Sequence, residues 1–346
     1  MDKLTVKNFG PIKDISIDVN DINIFIGPTS SGKSTVAKLI AIFLNPDTDS
    51  DLTHPDATIE KFKKQLIYYN IDFDLKTNTE IIFSYDKLTL QIRNNQLIKN
   101  VSGQTDSNQF WPFYIPAERM LLPNVGESLF GLMKNNVSIS ESLKEFGSMF
   151  ELSRKNLKSF VFPFLHIKYE YSDKNNYLTL PDGIKIKLEE ASSGFQSMLP
   201  LMLIMEHFAA NKRIFDNCFV IEEPELNLYP SMQKSLIEFI ISKVNHSGDR
   251  LIITTHSPYT LTAIDNLIQA KSAYDKHPEL KNEIINTVPE NLWIDFNKVS
   301  CYYFEDGFCR STLDNEDQSI GPSNIDDVSE DLGKTFDRLL ELKYHA

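Results

Sequence analysis

Hydrophobic and polar residues alternate at Leu4-Thr5-Val6-Lys7 and again at Ile15-Ser16-Ile17-Asp18-Val19, the period-two pattern of strands with one buried face. The stretch Asn8-Phe9-Gly10-Pro11 between them predicts a turn, so the chain opens with a hairpin. Residues 22–26 predict a strand that follows the hairpin, and residues 35–44 predict a helix. A polar loop (45–55) then leads to a helical stretch at 59–68 and to alternating segments at 80–85 and 87–92, which predict an antiparallel sheet beside a larger core. Residues 110–115 predict a further buried strand, ending at Pro116-Ala117-Glu118-Arg119.

From 120 to 165 the apolar positions change period. Leu129, Leu132 and Met133, then Leu143, Phe146, Phe150 and Leu157, recur at spacings of three, four and seven, which predicts an inserted helical lobe. Strands follow at 167–171, 177–180 and 184–188, then a long helix from about 194 to 210, which Pro200 is expected to bend because it removes a backbone donor. Apolar strands at 217–221 and 251–255, a helix, a strand at 300–304, an acidic loop and a last helix near 329–342 complete the pattern. With no internal repeat, this reads as one discontinuous α/β domain. Its parts are a first core segment (1–118), a helical lobe (119–166) and a second core segment (167–346).

Composition narrows the class. At 346 residues and 41% hydrophobic content the chain can bury an extensive core. The opening residues lack a signal-peptide pattern and the longest apolar run (198–205) is too short to span a bilayer, so a cytoplasmic protein without a membrane partner is expected. Cys218, Cys301 and Cys309 have no zinc spacing and read as free thiols. The net charge of −13 argues against an extended grip on nucleic acid, but nine acidic residues against Arg310 between Glu305 and Asp331 place −8 there and leave only −5 elsewhere. Arg154, Lys155 and Lys158, and Lys61, Lys63 and Lys64, are the candidate basic faces.

The strongest chemical signal is Gly27-Pro28-Thr29-Ser30-Ser31-Gly32-Lys33-Ser34, followed by Thr35, between a predicted strand and a predicted helix. This GxxxxGKS spacing is a phosphate-binding loop: small residues let backbone N–H groups surround a triphosphate, Lys33 supplies charge to the β- and γ-phosphates, and the Ser34 hydroxyl is a Mg²⁺ ligand. ATP and Mg²⁺ are the expected cofactors. The apolar strand at 217–221 ends in Glu222-Glu223, where the first carboxylate is placed to hold Mg²⁺ and the second to act as base toward water. The strand at 251–255 ends at His256, a candidate hydrogen-bond donor to the γ-phosphate or the attacking water. Ser192, Ser193 and Gly194 open the long helix as a second anion-binding end. One nucleotide hardly needs two such ends from one subunit, so a two-fold dimer with composite sites is expected.

Read in order, GPTSSGKS, ASSGFQS, CFVIEEPELNLYP and ITTHSP resemble the Walker A, signature, Walker B with D-loop, and switch-histidine motifs of ABC-type ATPases. The segment from Val6 to Ile12, the segment Tyr114-Ile115-Pro116-Ala117-Glu118-Arg119 and the Glu-Glu-Pro-Glu run are similar to the OLD-like branch of the RecF and SMC group. The resemblance implies a P-loop NTPase with a mixed central sheet, an antiparallel β subdomain and an inserted helical lobe. It also implies Glu222 in the Walker B position, Glu223 as catalytic base, His256 as switch histidine, Ser192 and Gly194 reaching a γ-phosphate across a dimer, and Glu225 to Leu228 as the D-loop. The sequence departs from the family pattern at Ser30, Ser193, Phe195 and Tyr229, and Gln109 is the candidate Q-loop glutamine.

That resemblance carries the functional expectation: a Mg²⁺-dependent ATPase acting through ATP-driven dimerisation, as a homodimer or higher even-numbered oligomer. It would control a separate effector such as a nuclease, toxin or reverse transcriptase in bacterial anti-phage defence. A RecF-like repair ATPase with nucleic acid as partner is the alternative. A transporter subunit and a non-hydrolysing ATP-binding module are weaker readings.

Overall fold

The computed structural model describes residues 2–46, 52, 57–102, 110–125, 139–211, 216–245, 248–321 and 324–344. The opening hairpin is β1 (Asp2–Phe9) with β2 (Ile12–Val19), paired antiparallel. β3 (Ile22–Ile26) leads into α1 (Lys33–Leu44). After α2 (Ile59–Tyr68) come β4 (Glu80–Tyr85), β5 (Leu88–Arg93), β6 (Gln96–Val101) and β7 (Phe110–Ile115). Among the described residues, α3 (Leu122–Val125) and α4 (Glu141–Leu157) precede a small sheet of β8 (Ser159–Val161), β9 (Lys168–Ser172), β10 (Asn175–Thr179) and β11 (Lys185–Lys187). The second half runs α5 (Ser193–Ala210), β12 (Asp216–Glu222), α6 (Pro230–Val244), β13 (Arg250–Thr255), α7 (Pro258–Lys276), α8 (Lys281–Thr287) and β14 (Val299–Glu305). It closes with β15 (Phe308–Ser311), β16 (Leu313–Asp314), β17 (Ser319–Ile320) and α9 (Asn324–Tyr344).

Eleven strands make one mixed sheet in the order β6-β5-β4-β1-β2-β15-β14-β3-β13-β12-β7. From β14 to β7 the strands are all parallel, and the wing from β6 to β2 is antiparallel. The parallel strands are covered on both faces, which is why 217–221 and 251–255 read as unbroken apolar runs. Alternate residues of β3 feed two cores. Ile24 and Ile26 pack with α5, α6 and α7 residues, whereas Phe25 packs with the α1 side chains and the antiparallel wing.

Several elements differ from the sequence reading for local reasons. The helical stretch expected to reach 165 ends at Leu157: Lys158 takes φ +53 and the chain enters β8, which pairs with β9. β6 has no alternation because, as an edge strand, it leaves Ile98 and Val101 exposed. It is joined to β5 by Asn94 and Asn95, both at positive φ, the geometry of a two-residue primed turn. The expected acidic loop instead contains β15, β16 and β17, and the final helix begins earlier, at Asn324. α5 continues as one helix across Pro200. Gln109, Leu129, Leu132 and Met133 lie outside the described residues. Among the described residues, no helix is long and apolar enough to cross a membrane.

Candidate active site

Parallel register brings three strand ends to one line. Glu222 pairs with Thr254, Thr254 with Phe25, and Thr255 with Ile26. Gly27, His256 and Glu223 are therefore the first residues beyond three adjacent strands, on the carboxyl edge where α/β sheets bind ligands.

The phosphate loop is shaped by its backbone. Gly27 sits at φ +148 with its missing Cβ position only 2.1 Å from the Phe304 carbonyl oxygen of β14, so no side chain fits there. Gly32, at φ +103, turns the chain into α1, and Ser30 is also left-handed at φ +62. Pro28, Thr29 and Ser30 are exposed, Ser31, Gly32, Lys33 and Thr35 are buried, and Ser34 is half-buried. The first N–H groups of α1 have no intrahelical acceptor and, with the helix dipole, suit an anion. Lys33 Nζ donates to the carbonyls of Gly27 (2.9 Å) and Pro28 (2.6 Å) and to Ser31 Oγ (3.3 Å), a folded-back pose over the loop. Burial lowers its pKa to about 8 against the opposing pull of Glu223, Glu225 and Glu222.

Opposite the loop stands the carboxylate pair. Glu222 is buried at the end of β12, with Oε1 3.8 Å from Lys38 Nζ and without a hydrogen-bond partner. Such an orphaned buried carboxylate oxygen, together with a serine hydroxyl at Ser34, is the hard-oxygen donor set that Mg²⁺ takes. Glu223 is held at φ +43, an uncommon conformation for a side-chain-bearing residue, with its N–H donating to Thr254 O (2.9 Å). This kink turns the second carboxylate away from the strand. Its Oε1 lies 3.3 Å from His256 Nε2, and that contact, reinforced by the charges of Lys33 and Arg119, keeps the Glu223 carboxyl below the usual carboxylate range although burial opposes it.

Other side chains hold this geometry: Glu225 and Arg119 lie in segments that the family resemblance singles out, whereas Gln233 does not. Glu225 Oε1 accepts from Thr255 Oγ1 and from the His256 N–H, both at 2.7 Å, tying the segment after β12 to the backbone at the end of β13. Gln233 accepts from Ser257 Oγ (2.6 Å) and donates to Leu228 O (2.9 Å), closing a second link between the same segments. Arg119, fully buried, donates to carbonyls of both Glu222 and Glu223. The Tyr114 to Arg119 segment marks the family resemblance, but spacing alone does not reveal which carbonyls its arginine engages.

Ser192 and Ser193 are exposed at the start of α5, and Ser192 caps the helix without a side-chain hydrogen bond, so hydroxyls and first-turn N–H groups point outward together. Gly194 packs against the segment that follows β12, its Cβ position 3.1 Å from Asn227 O and 3.3 Å from Leu228 Cδ2. The structure thus groups residues 27–35 with Glu222, Glu223 and His256, and packs Gly194 against Asn227 and Leu228 of the same chain.

These elements define a phosphate-loop nucleoside triphosphatase core. The family model described as an AAA ATPase domain matches residues 1–114 and 57–261, and the chain belongs to this family. Among solved structures, it is similar to the SMC head domain from Thermotoga maritima (13% identity, 75% of this chain and 90% of that one, TM-score 0.41). It is also similar to an SmcHead bound to the C-winged helix domain of ScpA (12% identity, 91% and 98%, TM-score 0.44). A third is an Smc head domain with an extended coiled coil bound to the C-terminal domain of ScpA from Pyrococcus furiosus (12% identity, 99% and 100%, TM-score 0.41). No curated protein matches the chain at a significant level.

Proposed function

We propose that the protein is a Mg²⁺-dependent ATPase whose working site is completed by a second copy of the chain. The observation that carries this reading is the placement of Glu223: kinked off its strand, 3.3 Å from His256, and electrostatically coupled to Lys33 of the phosphate loop. Residues 27–35 bind the triphosphate, with Lys33 swinging from the loop carbonyls to the β- and γ-phosphates. Ser34 and Glu222 hold Mg²⁺, which when bound offsets charge on those phosphates. Glu223, ionised at neutral pH, accepts a proton from the attacking water, and His256 orients water and carboxylate through Nε2. Ser192 and Ser193, exposed at a helix start, complete the site of the partner protomer together with Gly194.

Complementation tests this reading. Lys33→Ala removes one protomer's own site and Ser192→Arg blocks the half-site it offers; each variant alone should be nearly inactive, and their mixture should regain part of the wild-type turnover. A mixture as inactive as its components would exclude a shared site.

The OLD-like motif set supports a further step: ATP-driven closure of two protomers gates a separate effector protein, in the manner of a defence ATPase. Affinity capture of Glu223→Gln with ATP and Mg²⁺ from the native host tests it, since a stoichiometric partner retained only with nucleotide is the expected result.

A further inference from the structure

Arg119 is 0% exposed, and every hydrogen bond it makes runs to a main-chain carbonyl: Nε to Ser197 O at 3.1 Å, Nη1 to Pro116 O at 3.0 Å and Glu222 O at 2.6 Å, and Nη2 to Glu223 O at 2.7 Å. The acceptors belong to three parts of the fold. Pro116 precedes the arginine's own turn, Glu222 and Glu223 form the kinked end of β12, and Ser197 lies in the first turns of α5, whose start is the Ser192 to Gly194 half-site. Pro200 strengthens the connection: it cannot donate to Gln196 O, so the helix is short of one internal bond beside the carbonyl that Arg119 engages.

Burying a guanidinium is expensive, and an apolar side chain of similar volume would stabilise a core at least as well. What an apolar residue lacks is the planar fork. One rigid group bonded to both the β12 end and α5 lets neither shift without breaking short, buried, charge-assisted hydrogen bonds. Gly194, packed on Asn227 and Leu228, makes a second contact between the same two regions.

We propose that Arg119 is a positioning residue that locks the carboxylate pair of a protomer to the start of its own α5, so that its hydrolytic half-site and the half-site it offers its partner move as one unit. This rests on the composite ATPase reading and adds a specific claim: loss of Arg119 in one protomer slows hydrolysis in the other.

Mixing experiments on the full chain separate the two levels. A trace of wild type is mixed with excess Glu223→Gln or with excess Glu223→Gln/Arg119→Lys, so that the active wild-type site is completed by the variant's α5. Both variants should bind ATP with dissociation constants within about threefold, because no Arg119 contact reaches the phosphate loop. Turnover by the wild-type protomer should fall about tenfold with the double variant, as expected for losing one buried charge-assisted hydrogen bond. Equal turnover in the two mixtures overturns the coupling. If wild type alone neither dimerises with ATP nor hydrolyses it, the underlying reading has failed instead. Should the lysine variant not fold, Arg119→Ala provides the second arm: rescue of turnover by millimolar guanidinium chloride, but not by equal sodium chloride, supports the role, and no rescue overturns it.

Discussion

Glu223 and His256 come from neighbouring parallel strands and meet at 3.3 Å, each on the first residue beyond the sheet. The contact depends on the φ +43 kink at Glu223, which sets the carboxylate apart from that of Glu222 and gives two adjacent glutamates different surroundings. One is buried, with an Oε1 that faces Lys38 Nζ at 3.8 Å but accepts no hydrogen bond among the described residues, and the other is half-exposed, hydrogen-bonded and held below the usual carboxylate range. Glu223→Gln should therefore retain ATP binding and lower hydrolysis at least about a hundredfold, the contribution typical of a general base. Single-turnover kinetics beside nucleotide titration checks this, and parent-rate hydrolysis would remove Glu223 from the mechanism.

Gly27→Ala should cost more than about 3 kcal/mol of stability. It combines a positive φ with a Cβ 2.1 Å from the Phe304 carbonyl, a backbone clash that repacking cannot relieve. Gly183, at φ +85 with nothing within 4 Å of its Cβ position, separates the two terms. Gly183→Ala should lose only about 1 kcal/mol in the same denaturant titration.

Removing Glu225 leaves the His256 N–H and the Thr255 hydroxyl without their shared acceptor. Glu225→Ala should destabilise the fold by about 1–3 kcal/mol. It should also reduce turnover while leaving ATP affinity nearly unchanged, because Glu225 holds the backbone of His256, the residue beside Glu223. A fall in ATP affinity with unaltered turnover would contradict that role.

The thiols give a pH prediction. Burial pushes Cys218 and Cys301 up to about 12 and Cys309 up to about 11. These folded-state values lie above the unfolded ones, so the thiols' contribution is intact below about pH 9 and is lost as pH rises toward the folded values. Each fully buried cysteine should cost roughly 1 kcal/mol per pH unit above pH 9. The buried Tyr69, Tyr114 and Tyr169, whose pKa values are also raised, act in the same direction at higher pH. Lys33 and Arg119, both lowered, oppose the trend but are outnumbered. Urea midpoints should fall between pH 9 and pH 10.5, and native Cys218 and Cys301 should resist iodoacetamide at pH 8.

The phosphate loop, the apolar strands and the strand-end residues were legible because each is a local pattern: spacing, run length and a charged residue at a fixed offset. The order of strands in the sheet was not, since nothing local says that β15 fits between β2 and β14. That placement is made by Gly307, whose carbonyl accepts from the Lys13 and Asp14 N–H groups. Arg119 and Gln233 were hidden as site-shaping residues because the groups they bond either are main-chain carbonyls, which carry no residue-type signature, or lie far away in sequence, as Glu222 and Glu223 do from Arg119 and Ser257 does from Gln233. The short β8 was masked by the helical spacing of Leu143, Phe146, Phe150 and Leu157 just before it.

Completion of the site by a second protomer can be read from sedimentation velocity of Glu223→Gln with and without ATP and Mg²⁺. A monomer without nucleotide and a stable dimer carrying two ATP with it are the expected result. A protein that binds ATP fully and still sediments as a monomer at concentrations well above its ATP dissociation constant would rule out a site shared between protomers.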